Sequence, residues 1–121
     1  MKLRIKDNTL RLRFNQNERE LLEKDRVIIG KTHFSPTAEL IYQIKETKTS
    51  ISVTFESNII TVFLPKEKVD ELIETDLVTV HEVVTLEGGK TLDVTVEKDF
   101  QCLVIRSGED DTHSFPNPLA K

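Results

Sequence analysis

Leu3, Ile5, Leu10 and Leu12 alternate with Lys2, Arg4, Lys6, Arg11 and Arg13 on either side of Asp7-Asn8. Period-two alternation around a two-residue turn predicts a β-hairpin with one buried face. The turn pairs Ile5 with Leu10, Leu3 with Leu12 and Met1 with Phe14, so every apolar side chain falls on the same side. Asn15 with Glu18 three residues later forms a capping-box pattern and opens a short helix over about 15–24. Its apolar stripe is only Leu21 and Leu22, which predicts a helix lying on the surface of a sheet.

Residues 27–64 read as a four-strand antiparallel meander. A loop at Ser35-Pro36-Thr37 pairs Phe34 with Ala38, Thr32 with Leu40, Gly30 with Tyr42 and Ile28 with Ile44. A turn at Thr47-Lys48 then pairs Ile44 with Ile51, Tyr42 with Val53 and Leu40 with Phe55. A third turn at Ser57-Asn58 pairs Phe55 with Ile60, Val53 with Val62 and Ile51 with Leu64. All three registers keep one apolar face. Pro65 suits the start of a second helix over about 65–75, with Val69, Leu72 and Ile73 as its buried stripe. A hairpin follows from Leu77 to Leu86, through Gly88-Gly89, to Leu92–Val96. Phe100 to Ile105 reads as another strand, and Lys98-Asp99 as either a turn or a kink. The expected class is α+β: mainly antiparallel β-sheet, or a partly closed barrel of hairpins, with two short helices. No parallel crossover is required and no internal repeat is visible. Residues 1–106 read as a single domain. Residues 107–121 read as an irregular acidic tail with Phe115 as its candidate anchor.

A chain of 121 residues fits one domain. Its single cysteine, Cys102, excludes a disulfide scaffold and a cysteine zinc site within the chain. The start lacks the apolar run of a signal peptide, and no segment has the roughly 20 apolar residues of a membrane span. These features predict a reduced, cytoplasmic setting and no membrane partner. Charge changes the picture more. Lys2, Arg4, Lys6, Arg11 and Arg13 stand against Asp7 alone within residues 1–13, in a chain whose net charge is −4.

The hairpin register sets Arg4 opposite Arg11 and Lys2 opposite Arg13, with Lys6 beside them. Like charges directly across strands are destabilising, so something must compensate. Two accounts need no ligand. Glu97, Asp99 or the Glu109-Asp110-Asp111 tail could neutralise the cations internally, or the cations could guard a sheet edge. The functional account is an anionic ligand or an acidic protein partner held by Lys2, Arg4, Lys6, Arg11 and Arg13. Nucleic acid is disfavoured, because there is no tryptophan and the aromatics are six phenylalanines and Tyr42.

Glu97 and Asp99 share one strand face and form a second cluster, able in principle to act as an acid/base pair with Cys102 nearby. A regular strand would put Lys98 on the apolar face, so a turn or bulge that lets all three charges reach water is expected here. His33 faces Glu39 as a surface pair. His81 and His113 show no metal-ligand spacing, and no cofactor or metal is expected. There is no phosphate loop, dinucleotide fingerprint or serine elbow.

Met1-Lys2-Leu3-Arg4-Ile5-Lys6-Asp7-Asn8, Glu97-Lys98-Asp99-Phe100-Gln101-Cys102-Leu103 and Phe115-Pro116-Asn117-Pro118 together resemble a family of small bacterial proteins of unknown function. The resemblance covers nearly the whole chain and implies a bacterial, cytoplasmic domain. It carries no activity, cofactor or site residue. The leading expectation is therefore a non-enzymatic binding domain whose basic hairpin face meets an anion. The alternatives are a small enzyme with a pocket near Glu97, Asp99 and Cys102, or a structural protein that oligomerises through its sheet edges.

Overall fold

The computed structural model describes residues 1–100 and Phe115. Within them the chain forms β1 (Lys2–Lys6), β2 (Thr9–Phe14), α1 (Gln16–Asp25), β3 (Val27–Ser35) and β4 (Ala38–Thr47). It continues through β5 (Ser52–Glu56), β6 (Ile59–Pro65), α2 (Lys66–Glu74), β7 (Thr79–Thr85) and β8 (Thr91–Lys98). The class is α+β, with strands mostly paired antiparallel. The expected Phe100–Ile105 strand and the acidic tail fall outside the described residues, apart from Phe100 and Phe115, which bridge each other.

Both helices start where the sequence sets them. The Asn15 side chain accepts from the Glu18 amide at 2.9 Å, and Glu18 accepts from the Asn15 amide at 3.0 Å. These reciprocal bonds satisfy donors that a helix start leaves free. Leu22 alone of the thin α1 stripe is buried, and Leu21 stays exposed. In α2, Val69, Leu72 and Ile73 are all buried, and Pro65 occupies the N-cap position without a side-chain cap bond.

The hairpin registers hold, but the meander does not. β1 and β2 pair Leu3 with Leu12 and Ile5 with Leu10; β5 and β6 pair Val53 with Val62 and Phe55 with Ile60. β3 and β4 pair Ile28 with Ile44, Gly30 with Tyr42 and Thr32 with Leu40, then shift so that Ser35, not Phe34, faces Ala38. Between the hairpins, β4 runs parallel to β6 and pairs Tyr42 with Ile60 and Ile44 with Val62, leaving β5 at the sheet edge. The second sheet repeats the device, with β2 parallel to β8 through Leu10–Val94 and Leu12–Val96. Among the described residues the result is two four-stranded sheets, β1-β2-β8-β7 and β3-β4-β6-β5, and no closed barrel. An antiparallel β4–β5 ladder and a parallel β4–β6 ladder bury the same alternating residues, so apolar periodicity cannot choose between them.

A repeat therefore exists in the structure although the sequence shows none. The series β1-β2-α1-β3-β4 is followed by β5-β6-α2-β7-β8, and each half gives one hairpin to each sheet. The first sheet, read from β1, has the order that the second has read from β5. Even the linking hydrogen bonds recur: Asp93 N donates to Asn8 O, and Ile41 N to Asn58 O. Likewise Lys98 N donates to Val78 O, and Glu46 N to Arg26 O.

The inner faces of both sheets and the two helices share one core. Leu12, Phe14, Leu22, Ile28, Ile44, Val62, Leu64, Val69, Leu72, Val94 and Val96 are all but fully removed from solvent. Arg26 ties the α1 end into this frame. It takes a left-handed backbone (φ 60°) as the C-cap, and its guanidinium reaches Asp70 at 2.6 Å and Glu46 at 3.4 Å. Hydrogen bonds from Lys66 and Arg26 hold the Asp70 carboxyl below the usual carboxylate range.

Candidate functional site: the basic face of the first sheet

Because β-strand side chains alternate, burial of Leu10, Leu12, Val94 and Val96 forces their neighbours onto the opposite, outer face. The ladders arrange these outer residues in three rows. Lys6, Thr9, Asp93 and Val83 form one; Arg4, Arg11, Thr95 and His81 the next; Lys2, Arg13, Glu97 and Thr79 the third. All five sequence-predicted cations thus lie on one surface.

The parallel β2–β8 pairing brings acids to it. Glu97 accepts from Arg13 Nε at 2.6 Å and lies 3.6 Å from Arg11 Nε. Asp99 sits 2.9 Å from Lys2 Nζ. Internal compensation is thus real but incomplete: among the described residues, Arg4 and Lys6 have no acidic partner within ion-pair distance. The hairpin tip is fixed rather than floppy. Asp93 N donates to Asn8 O at 3.1 Å, the Asn8 side-chain amide donates to Thr91 O, and Thr9 Oγ1 donates to Lys6 O at 2.6 Å.

Two concavities open on this face and share Arg4 and Arg11. One, of about 330 Å³, is lined by those arginines with Lys6, Thr9, His81, Asp93 and Thr95. The other, of about 410 Å³, adds Lys2 and Arg13. His81 Nε2 contacts Asp93 across the β7–β8 ladder. Sequence reasoning missed His81, Asp93 and Thr95. Their alternation with Val80, Val94 and Val96 marks them as outward-facing, but nothing local shows that β8 lies beside β2.

The Glu97–Lys98–Asp99 cluster is resolved differently from expectation. No bulge releases its charges: the strand runs through Lys98, and Asp99 N donates to Phe14 O at 2.8 Å. Glu97 and Asp99 do share a face, but each carboxylate is engaged by a cation. Cys102, the third member of the imagined pocket, lies outside the described residues. Lys98 points inward and is buried, with Nζ donating to Thr75 O at 2.9 Å and lying 5.4 Å from the Phe115 ring centre. Since α2 has no basic residue in its last turn, Lys98 supplies the cation that its C-terminal carbonyls favour.

Burial pulls the Lys98 amine below the ordinary lysine range; Arg19 adds to the shift and Asp76 opposes it. The folded chain therefore releases this proton before the unfolded chain does. Between the lowered value and about 10.4, the unfolded state binds more protons, so stability from this group rises with pH. The melting-temperature advantage of wild type over Lys98→Met should grow from pH 7 to pH 10. A flat difference would show that burial does not tune this amine.

His33 and Glu39 form the expected exposed pair, at 2.8 Å. Among the described residues, no group of three or more His, Cys, Asp or Glu side chains is placed to hold a metal ion. No helix among them is long and apolar enough to cross a membrane.

Fold and site together define an α+β domain of two hairpin-exchanged sheets, one of which presents a basic outer face. The chain belongs to a family of unknown function, DUF7009, whose profile matches residues 1–119. No curated protein and no solved structure matches it.

Proposed function

We propose that the protein is a non-enzymatic binding module, and that the outer face of its first sheet takes an anionic ligand. The observation that carries this reading is the internal repeat. The second sheet builds the same rows with Thr54, Thr61, Gln43 and Ile29 where the first has Arg4, Arg11, Thr95 and His81. Where the first has Lys2, Arg13, Glu97 and Thr79, the second has Ser52, Phe63, Lys45 and Val27. The ladder thus forms without a basic cluster, so the scaffold does not require one. Facing Arg4 and Arg11 across strands works against stability, and retaining them is explained by a ligand that neutralises them. Edge protection accounts for β1 but not for Arg11 and Arg13, which lie on an interior strand. The lone cysteine and the resemblance to bacterial sequences support a cytoplasmic setting. A small anion or an acidic protein surface fits this face better than nucleic acid, since no Phe, Tyr or Trp stands among its rows.

The test is Arg4→Thr/Arg11→Thr, which copies the residues of the second sheet. A thermal-shift screen of phosphate-bearing metabolites at low and high salt should give stabilisation with wild type that fades with salt. The variant should lose about 100-fold or more in affinity, as two charge-assisted hydrogen bonds disappear. Unliganded, it should melt at the same temperature or about 1–4 °C higher, because the cross-strand repulsion is gone. Undiminished binding by the variant would remove the proposal.

A further inference from the structure

We propose that the concavity between Arg4, Lys6, Arg11 and His81 is a subsite for a phosphomonoester with a hydroxylated, non-aromatic body, the chemistry of a sugar phosphate. The inference rests on the reading of this face as an anion site and names the ligand class. Charge is distributed unevenly along the concavity. Arg4, Lys6 and Arg11 gather at the β1–β2 end, whereas Thr95, His81 and Asp93 occupy the β8–β7 end. Three strand spacings separate β1 from β7, about 14 Å, so one phosphate cannot reach both ends.

At the first end, two guanidinium forks and an ammonium offer donors from several directions. A tetrahedral dianion uses such an array more fully than a planar carboxylate, which one arginine satisfies alone. At the other end, Asp93 is an acceptor, Thr95 can donate or accept, and the His81 ring is oriented by its contact with Asp93. Hydroxyl groups match that mixture. A second phosphate there would meet the Asp93 charge, and Glu97 stands in the next row. These carboxylates disfavour extended polyanions. The lining has no Phe, Tyr or Trp ring on which a base could stack, its only ring being the His81 imidazole already turned to Asp93. Its volume of about 330 Å³ is at the lower end for small-molecule pockets.

Calorimetric titration of the intact chain with inorganic phosphate, glucose 6-phosphate, glucose and adenosine monophosphate tests this. Glucose 6-phosphate should bind about tenfold or more tightly than inorganic phosphate, as hydrogen bonds to the sugar are added. His81→Ala/Asp93→Ala should erase that preference while still binding inorganic phosphate; if the pair does not fold, Asp93→Asn alone should reduce it. Equal affinity of wild type for glucose 6-phosphate and inorganic phosphate would overturn the ligand class, and so would adenosine monophosphate binding as tightly as glucose 6-phosphate. A preference that survives Asp93→Asn undiminished would overturn the placement of the sugar. Each of these outcomes leaves the anion-binding face standing. Binding of none of these anions would overturn this inference together with the small-anion reading of the face, leaving an acidic protein surface as its only ligand.

Discussion

Phe14→Ala is expected to destabilise the protein by about 3–5 kcal/mol, and Phe14→Leu by only about 1. Phe14 is fully buried at the end of β2, where its ring meets Phe115 edge-on at 5.9 Å and 87°. Its carbonyl accepts the Asp99 amide that continues the parallel seam, and Phe115 in turn packs on Phe100 at 5.8 Å. Truncation leaves a cavity at a point where β2, β8 and Phe115 meet, and a ladder on both sides of β2 limits collapse. Leucine is tolerated because the other half places Leu64 at the corresponding end of β6, where it is also fully buried. Against a typical total of about 5–15 kcal/mol, the alanine variant should unfold at far lower urea concentration. A loss below about 1 kcal/mol would mean that this convergence is not a keystone of the core.

The internal comparison that rationalises Leu64 also explains what was legible in the sequence. The hairpins that form were readable, the shifted tip of β3–β4 excepted, because a short turn and an alternating pattern favour one register. Asn15 with Glu18, and the Val69–Leu72–Ile73 stripe, marked the helices for similarly local reasons. The order of hairpins within the sheets was not readable. β4 can lie beside β5 or β6 with Tyr42 and Ile44 equally buried, and the turn-like Thr47-Lys48 favoured the wrong partner. The repeat was hidden because its halves share apolar positions, Leu10 with Ile60, Leu12 with Val62 and Leu22 with Leu72, but few outward-facing residues. Outward positions carry no folding constraint of that kind, which is why they are free to differ between the sheets.

The candidate site divides along the same line. Its cations sit on one hairpin and were assembled by local register alone. Its acids and His81 come from the far end of the chain, and their placement depends on the parallel β2–β8 seam. Glu97 and Asp99 were recognised as possible neutralising groups, and both do reach cations of the hairpin. The expected exposure of Lys98 failed because the distant α2 terminus offers its ammonium a carbonyl partner that no adjacent residue reveals.

Gly30→Ala should destabilise the wild type by about 1–3 kcal/mol yet be neutral or slightly stabilising in a Tyr42→Val background. A β-carbon at Gly30 would stand 2.3 Å from Tyr42 Cε2 and 2.9 Å from Cδ2 and Cζ. The ring has little room to retreat: Tyr42 is buried on an interior strand between β3 and β6, and its hydroxyl lies 3.5 Å from Thr32 Oγ1. Backbone strain is not the obstacle, since Gly30 has no left-handed φ and alanine would even reduce the freedom of the unfolded chain. The clash alone sets the sign. The other half solves the same position with ordinary side chains, pairing Glu82 with Val94 where this half pairs Gly30 with Tyr42. Glycine here is therefore a requirement of the tyrosine rather than of the fold. Urea melts of the two single variants and the double variant give the coupling directly. An energy of about 1 kcal/mol or more, with the double variant more stable than the two single losses would sum to, is the expected result. Additive losses would show that the ring moves aside and that Gly30 is kept for some other reason.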